Sequence, residues 1–300
     1  MNPGMAHGWR NWFRFEPMRH ERWEVLLLRL GLAWGAWASF TGNSEFTDQP
    51  HPNGIAHWVD LTFLSNDTTE TWLRLVAKAS LVAFVAGVPT IISLLVPTFL
   101  GIGLFTLKNS QGAIGHSFQV IHLCLLAAWM AGLWSVICRL RKTAMPNDLT
   151  AGQLEIDWAR QALAAGYVVS AITKVVVSGG FWFRDSQYFA LHIIKNNDMI
   201  YYGTLEAAAQ KVAWLPEWMM QHPLASQAFF GLALPLELFA FLGCRNRGLA
   251  MVFGLSLIAF HLCVKQLTQL DFVYNMQLLL VLMVNPAWWV ARGYSSIRAR

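Results

Sequence analysis

Long apolar runs separated by short polar stretches dominate this chain. Eight runs can form bilayer-crossing helices, at about 25–40, 73–88, 89–107, 117–138, 158–177, 225–242, 249–267 and 272–290. A crossing helix needs roughly 17 to 25 apolar residues, fewer where flanking aromatics extend it. The stretch 73–107 is too long for one helix. Gly87-Val88-Pro89 cuts it, because proline lacks a backbone donor and disfavours helix at the residue before it. A tight hairpin is predicted there. The pattern therefore predicts an all-α fold: a polytopic integral membrane helical bundle of about eight transmembrane helices. An N-terminal arm (1–24) precedes the transmembrane domain (25–290), which carries outer segments 41–71 and 178–224, and a short tail (291–300) follows. Within the second outer segment, the stretch from Gly203 to Trp214 is expected to lie at the interface as a helix.

Composition supports this. Hydrophobic residues make up 55% of the chain and charged residues 13%, about half the usual share for a soluble domain. Too few polar side chains remain to cover a soluble globule. The net charge of +5 does not point to nucleic acid, because the basic residues sit in short flanks beside apolar runs. Membrane lipid is the expected partner. Arg10, Arg14, Arg19, Arg22, Arg139, Arg141, Lys142, Arg245, Arg247, Arg292, Arg298 and Arg300 fall in alternate segments. The segment 41–71 has no Lys or Arg and five acids. By the positive-inside rule both termini are expected in the cytoplasm, in a multi-pass protein of the cell membrane (a bacterial inner membrane). The first 24 residues read as an arm before a retained helix, not a cleaved signal. Cys124, Cys138, Cys244 and Cys263 show no paired spacing, so no metal site or disulfide framework is readable.

Charges inside apolar runs carry the chemistry, since each costs about 3 kcal/mol at mid-membrane. Six bases fall there (Arg29, Arg74, Lys78, Arg160, Lys174 and Lys265), and Glu237 is the acid clearly within a span. Arg74 and Arg160 lie near span ends, where snorkelling accounts for them. Arg29 and Glu237 lie at similar depths by helix rise, and a structural ion pair between them is expected. Lys174 and Lys265 each reach the outer third of their helices. His261 lies one turn from Lys265, and Tyr167 and Ser170 share a face with Lys174. His116 opens the fourth span from the same side, and Asp271, Tyr274 and Gln277 enter the eighth. These groups are expected to converge on an outer pocket, with Lys174 and His261 as acid–base residues and Lys265, Tyr274 and His116 contacting a ligand. The alternative is that the two lysines snorkel and the pocket does not exist.

At these residues the chain resembles the transmembrane family that includes the vitamin K-dependent γ-glutamyl carboxylases, the HTTM family. The resemblance is carried by Arg29 in the first span, by Arg160 through Lys174 (RQALAAGYVVSAITK), and by Ser178-Gly179-Gly180-Phe181-Trp182. Leu234-Pro235-Leu236-Glu237, Ala259-Phe260-His261 and Asp271 to Leu280 complete it. It departs from the animal enzymes at Thr173, Val264 and Gly132. The resemblance implies that Lys174 deprotonates a reduced quinone of the vitamin K type, a step that suits a desolvated lysine. Two classes of function remain open. One is a quinol-dependent, carboxylase-like enzyme. The other is a non-catalytic membrane subunit that binds lipid or quinone, or that assists maturation or export of a small peptide. A transporter ranks behind both, because Gly87-Val88-Pro89 is the only interruption read in the runs.

Overall fold

The computed structural model describes residues 18–41, 54–110, 116–206, 212–268 and 270–298. Every regular element among them is helical. Most of the N-terminal arm, and positions 207–211 of the expected interfacial helix, lie outside the described residues. The helices are α1 (Arg22–Ser39), α2 (Asp67–Val85), α3 (Thr90–Ser93), α4 (Leu95–Ser110), α5 (His116–Leu140), α6 (Ala151–Val177) and α7 (Trp182–Asp185). After them come α8 (Phe189–Thr204), α9 (Leu215–Gln221), α10 (Pro223–Gly231), α11 (Ala233–Leu238), α12 (Arg247–Thr268), α13 (Val273–Leu278) and α14 (Pro286–Arg298).

Local sequence sets these boundaries. The Glu21 N–H donates to Glu24 Oε2 at 3.3 Å where α1 begins, and Asn66 Oδ1 accepts from the Thr69 N–H at 3.0 Å to start α2. Thr150 and Gln153 form a capping box, with bonds of 2.9 and 3.3 Å. That box starts α6 seven residues earlier than the apolar run, so the helix spans 27 residues and takes Glu155 and Asp157 into the bundle. The predicted interruption at Gly87-Val88-Pro89 is present. α2 ends at Val85, Gly87 adopts a φ of +90°, and α3 opens after Pro89.

Among the described residues, four helical stretches are long and apolar enough to cross a membrane: Thr90–Ser110, Ser117–Leu140, Arg247–Thr268 and Val273–Tyr294. The expected span 225–242 is not one helix. It is broken into α10, α11 and a 3₁₀ turn (Ala240–Cys244), with interruptions at Leu232 and Phe239. Pro235 cannot donate to the Gly231 carbonyl, which accounts for the first interruption. The last span is also irregular. A π-helical turn (Leu279–Val284) follows α13, and Asn285 is left-handed before Pro286. The second half therefore holds interruptions that the apolar pattern did not show.

Apolar side chains lie both in the interior, as at Phe40, Phe84 and Leu125, and over the outer surface. Small residues fill much of the interior, among them Ala33, Ala36, Ala128, Ala159, Ala164 and Ala171, while Leu30, Trp34, Val169, Val176 and Leu255 face outward. Helices gain no hydrophobic driving force from one another in lipid, so small residues that permit close approach replace it. Gly31 and Gly35 show this on α1. A Cβ at Gly31 would sit 2.7 Å from the Val281 methyls, and one at Gly35 would sit 2.6 Å from Ile121 Cδ1. α6 is the central helix, packing along α5 and touching α1, α11, the 3₁₀ turn and the π turn.

Candidate functional site

Tyr167, Ser170 and Lys174 are spaced by three and four residues along α6, and so share one stripe. The stripe faces α11 on one side and α12 on the other. Lys174 Nζ donates to Glu237 Oε2 at 2.5 Å, and Ser170 Oγ donates to the same oxygen at 3.3 Å. The glutamate side chain is 5% exposed and the lysine 26%. The carboxylate is therefore inside, while the ammonium still has an open flank. Trp182, just past the turn that ends α6, covers part of that flank with its ring 5.4 Å from Nζ.

One turn deeper, Tyr167 Oη and His261 Nε2 lie 2.7 Å apart, and Asn275 Nδ2 donates to the tyrosine oxygen at 3.4 Å. With the amide donating, the phenol hydrogen is directed to Nε2, which leaves the imidazole hydrogen on Nδ1. That Nδ1 has no hydrogen-bond partner among the described residues, and neither has Asn275 Oδ1. Phe272 stacks on the imidazole at 4.6 Å. Lys174 and His261 thus lie in two neighbouring hydrogen-bonded groups along the α6 stripe, Lys174–Glu237–Ser170 and Tyr167–His261–Asn275. Two polar atoms in the second carry unused bonding capacity, which is uncommon in a buried site.

The other expected residues are placed differently. Lys265 turns to Asp271, 2.7 Å away, and both are about half exposed, so it joins neither group. Its exposed position at the end of α12 fits snorkelling. Tyr274 packs its ring 5.0 Å from Phe118, and its backbone N–H donates to Ser117 Oγ at 3.2 Å. It is Asn275, its neighbour, that reaches the site. The His116 side chain lies outside the described residues.

The expected Arg29–Glu237 pair is replaced by two others. Arg29 Nη2 donates to Glu155 Oε2 at 2.5 Å, Thr90 Oγ1 donates to Glu155 Oε1 at 2.6 Å, and the guanidinium lies 5.0 Å from the Phe84 ring centroid. Glu237 belongs to Lys174 instead. Helix rise had set Arg29 and Glu237 at similar depths, but they lie towards opposite ends of α6, beside Glu155 and Lys174 respectively. Glu155 escaped notice because it precedes the apolar run, and Glu237 was misdirected because its segment is broken.

Snorkelling also fails for Arg74 and Arg160. Arg74 is buried against Glu70, 2.5 Å away, one turn earlier on α2. Arg160 is 1% exposed, and its Nε donates to the Leu282 carbonyl at 2.9 Å. In a regular helix that carbonyl would accept from residue 286, which is a proline without an N–H. The arginine takes its place. Arg160 Nη2 also donates to His20 Nε2 at 2.7 Å, so the His20 hydrogen is on Nδ1, 2.7 Å from Glu24. Arg247 and Asn285 close this second network on Glu24, at 2.5 Å each. It ties residues before α1 to α6, α12 and the turn at Asn285, and its role is structural.

No family model, curated protein or solved structure matches the chain.

Proposed function

We propose that this chain is a multi-pass membrane protein, with eight crossing segments and both termini in the cytoplasm. Within it, the Lys174–Glu237 pair works as an acid–base unit on a lipophilic hydroxyl compound of the reduced-quinone class. The asymmetry of Lys and Arg supports the orientation, and the outward-facing apolar side chains support immersion in lipid. The observation that carries the chemistry is the pair itself: a buried carboxylate joined to a lysine that remains a quarter exposed.

Such a pair can move a proton without leaving a naked charge. Transfer from the ammonium to the carboxylate converts two opposite charges into two neutral groups, so the net charge is zero before and after. The neutral amine can then accept a hydroxyl proton, which is the first step a carboxylase-like reaction would need. The residues fit a ligand with oxygen substituents. His261 Nδ1 and Asn275 Oδ1 are a donor and an acceptor lacking partners among the described residues, and Trp182 supplies a flat apolar wall. A reduced quinone, when bound, would supply the acidic hydroxyl and the reducing electrons. Tyr167 would hold His261 in place and Ser170 would hold Glu237, while the apolar helices exclude water.

The test uses the purified chain in lipid nanodiscs with a photoreactive quinone. Labelling is expected on peptides around Lys174 and Glu237, is lost in Lys174→Met, and is kept in Lys265→Gln. A pH indicator read on mixing with menadiol should report a proton change in the wild type and not in Lys174→Arg, since arginine preserves the ion pair but does not readily give up its charge. Labelling with no proton change would replace the enzyme reading with that of a quinone-binding membrane subunit. An absence of labelling would refute both.

A further inference from the structure

We infer that the outward face of α8 is a docking surface for phosphatidylethanolamine. The rotation of this helix is fixed. Ala190, Ile193 and Asn197 are buried, Phe189 packs against Phe230 at 5.0 Å between ring centroids, and the Asn196 amide donates to the Thr268 carbonyl. The last contact places α8 at the C-terminal end of α12, the end that carries Lys265. A short helix there is at the boundary of the bundle, where a lipid headgroup would sit.

The opposite face has an unusual composition for a surface. Leu191, Ile194, Met199 and Tyr202 are 58%, 42%, 64% and 74% exposed, and with Lys195 and Asp198 they line a shallow, open groove along α8. The two charges are three residues apart on one helix face, yet no ion pair joins them. Neither has a hydrogen-bonding partner among the described residues. One cation and one anion side by side, flanked above and below by apolar groups, complement a zwitterionic headgroup with its acyl chains. The phosphate meets Lys195, and the ammonium of the ethanolamine meets Asp198 with hydrogen bonds that a choline cannot make. An anionic lipid would gain the same lysine but face Asp198. The apolar side chains accept the acyl chains.

Native mass spectrometry of the full chain in detergent tests this, with ethanolamine, choline and glycerol phospholipids of identical acyl chains. The wild type should retain the ethanolamine lipid roughly fivefold better than either competitor, the size expected for one charged contact near a membrane surface. Lys195→Gln should reduce retention of all three lipids, since each carries the phosphate. Asp198→Asn should abolish the preference over the glycerol lipid. Both positions are exposed, so the variants should fold. Equal retention of all three lipids, or a preference untouched by both variants, would overturn the assignment. So would a dimer that the variants disrupt, because a second copy would then occupy the groove. Ethanolamine-lipid retention without quinone labelling at Lys174 would sink the acid–base reading alone.

Discussion

Removing the carboxylate charge at Glu155 should strand Arg29, and this is the sharpest check on how the interior charges are paired. Glu155 accepts from Arg29 at 2.5 Å and from Thr90 at 2.6 Å, with side-chain exposures of 3% for the glutamate and 16% for the arginine. Glu155→Gln keeps an oxygen for Thr90 and removes only the charge. Breaking a buried pair from one side costs about 3–5 kcal/mol, because the survivor is a charge without a partner. Arg29 is slightly exposed and rests on Phe84, so the lower end, about 3 kcal/mol, is expected. Arg29→Met together with Glu155→Gln leaves no stranded charge and should restore about 2 kcal/mol relative to Glu155→Gln alone. Denaturation in mixed micelles, read by tryptophan fluorescence, gives the four corners of the cycle. The same cycle on Arg29 and Glu237 should show coupling below about 0.5 kcal/mol, as for residues with no shared partner. Strong coupling of Arg29 to Glu237, with none to Glu155, would refute the pairing.

Three further outcomes can be checked. In a Cys263→Ser background, single cysteines at Trp58 and Leu205 should react with an impermeant thiol reagent in intact cells, and one at Arg141 should not; labelling at Arg141 would overturn the orientation. Burial holds His20 below its ordinary value of 6.5, with Arg160 and Arg247 adding to the effect and the Glu24 hydrogen bond opposing it. The folded state then binds fewer protons than the unfolded state just below that pH, so this contribution is complete above it and is lost as the pH falls. Tm measured from about pH 8 down to about pH 5 should drop in the wild type, and less steeply in His20→Gln. Gly101→Ala should cost about 1–3 kcal/mol, because a Cβ there would overlap the buried His122 ring, which is held at 2.8 Å from the Phe118 carbonyl. An unchanged Tm would show that the ring can move.

The elements that could be read from the sequence are those whose signals are local. Gly87-Val88-Pro89 marks a break by backbone chemistry alone, and the break is there. The stripe Tyr167-Ser170-Lys174 follows from helical spacing on an uninterrupted helix, and it supplies members of both hydrogen-bonded groups. Thr150 and Gln153 were an unused local signal: a capping box at those positions starts α6 early enough to bury Glu155. The break at Leu232 goes back to Pro235, a second local signal left unused. The π turn at 279–284 was not legible, because there Arg160 donates to the freed Leu282 carbonyl, and no window of sequence contains both partners.

The exchange of ion-pair partners has a physical cause, and it bears on function. Counting residues gives depth and direction only along an unbroken helix, at about 1.5 Å and 100° per residue, and both are lost at an interruption. Glu237 follows an interruption at Leu232, so neither its depth nor its azimuth was readable, whereas Lys174 sits on a continuous helix. The result is that α6 carries one member of each pair, Glu155 near one end and Lys174 near the other. Nineteen residues separate them, or about 28 Å along the axis. Each pair is neutral by itself, with partners on α1 and α11 respectively. On the acid–base reading proposed above, a proton moving within the Lys174–Glu237 pair removes a local dipole without changing net charge, and that change is small at the distant Arg29–Glu155 pair. The two ends of α6 would then serve separately, one for chemistry and the other for holding the bundle together.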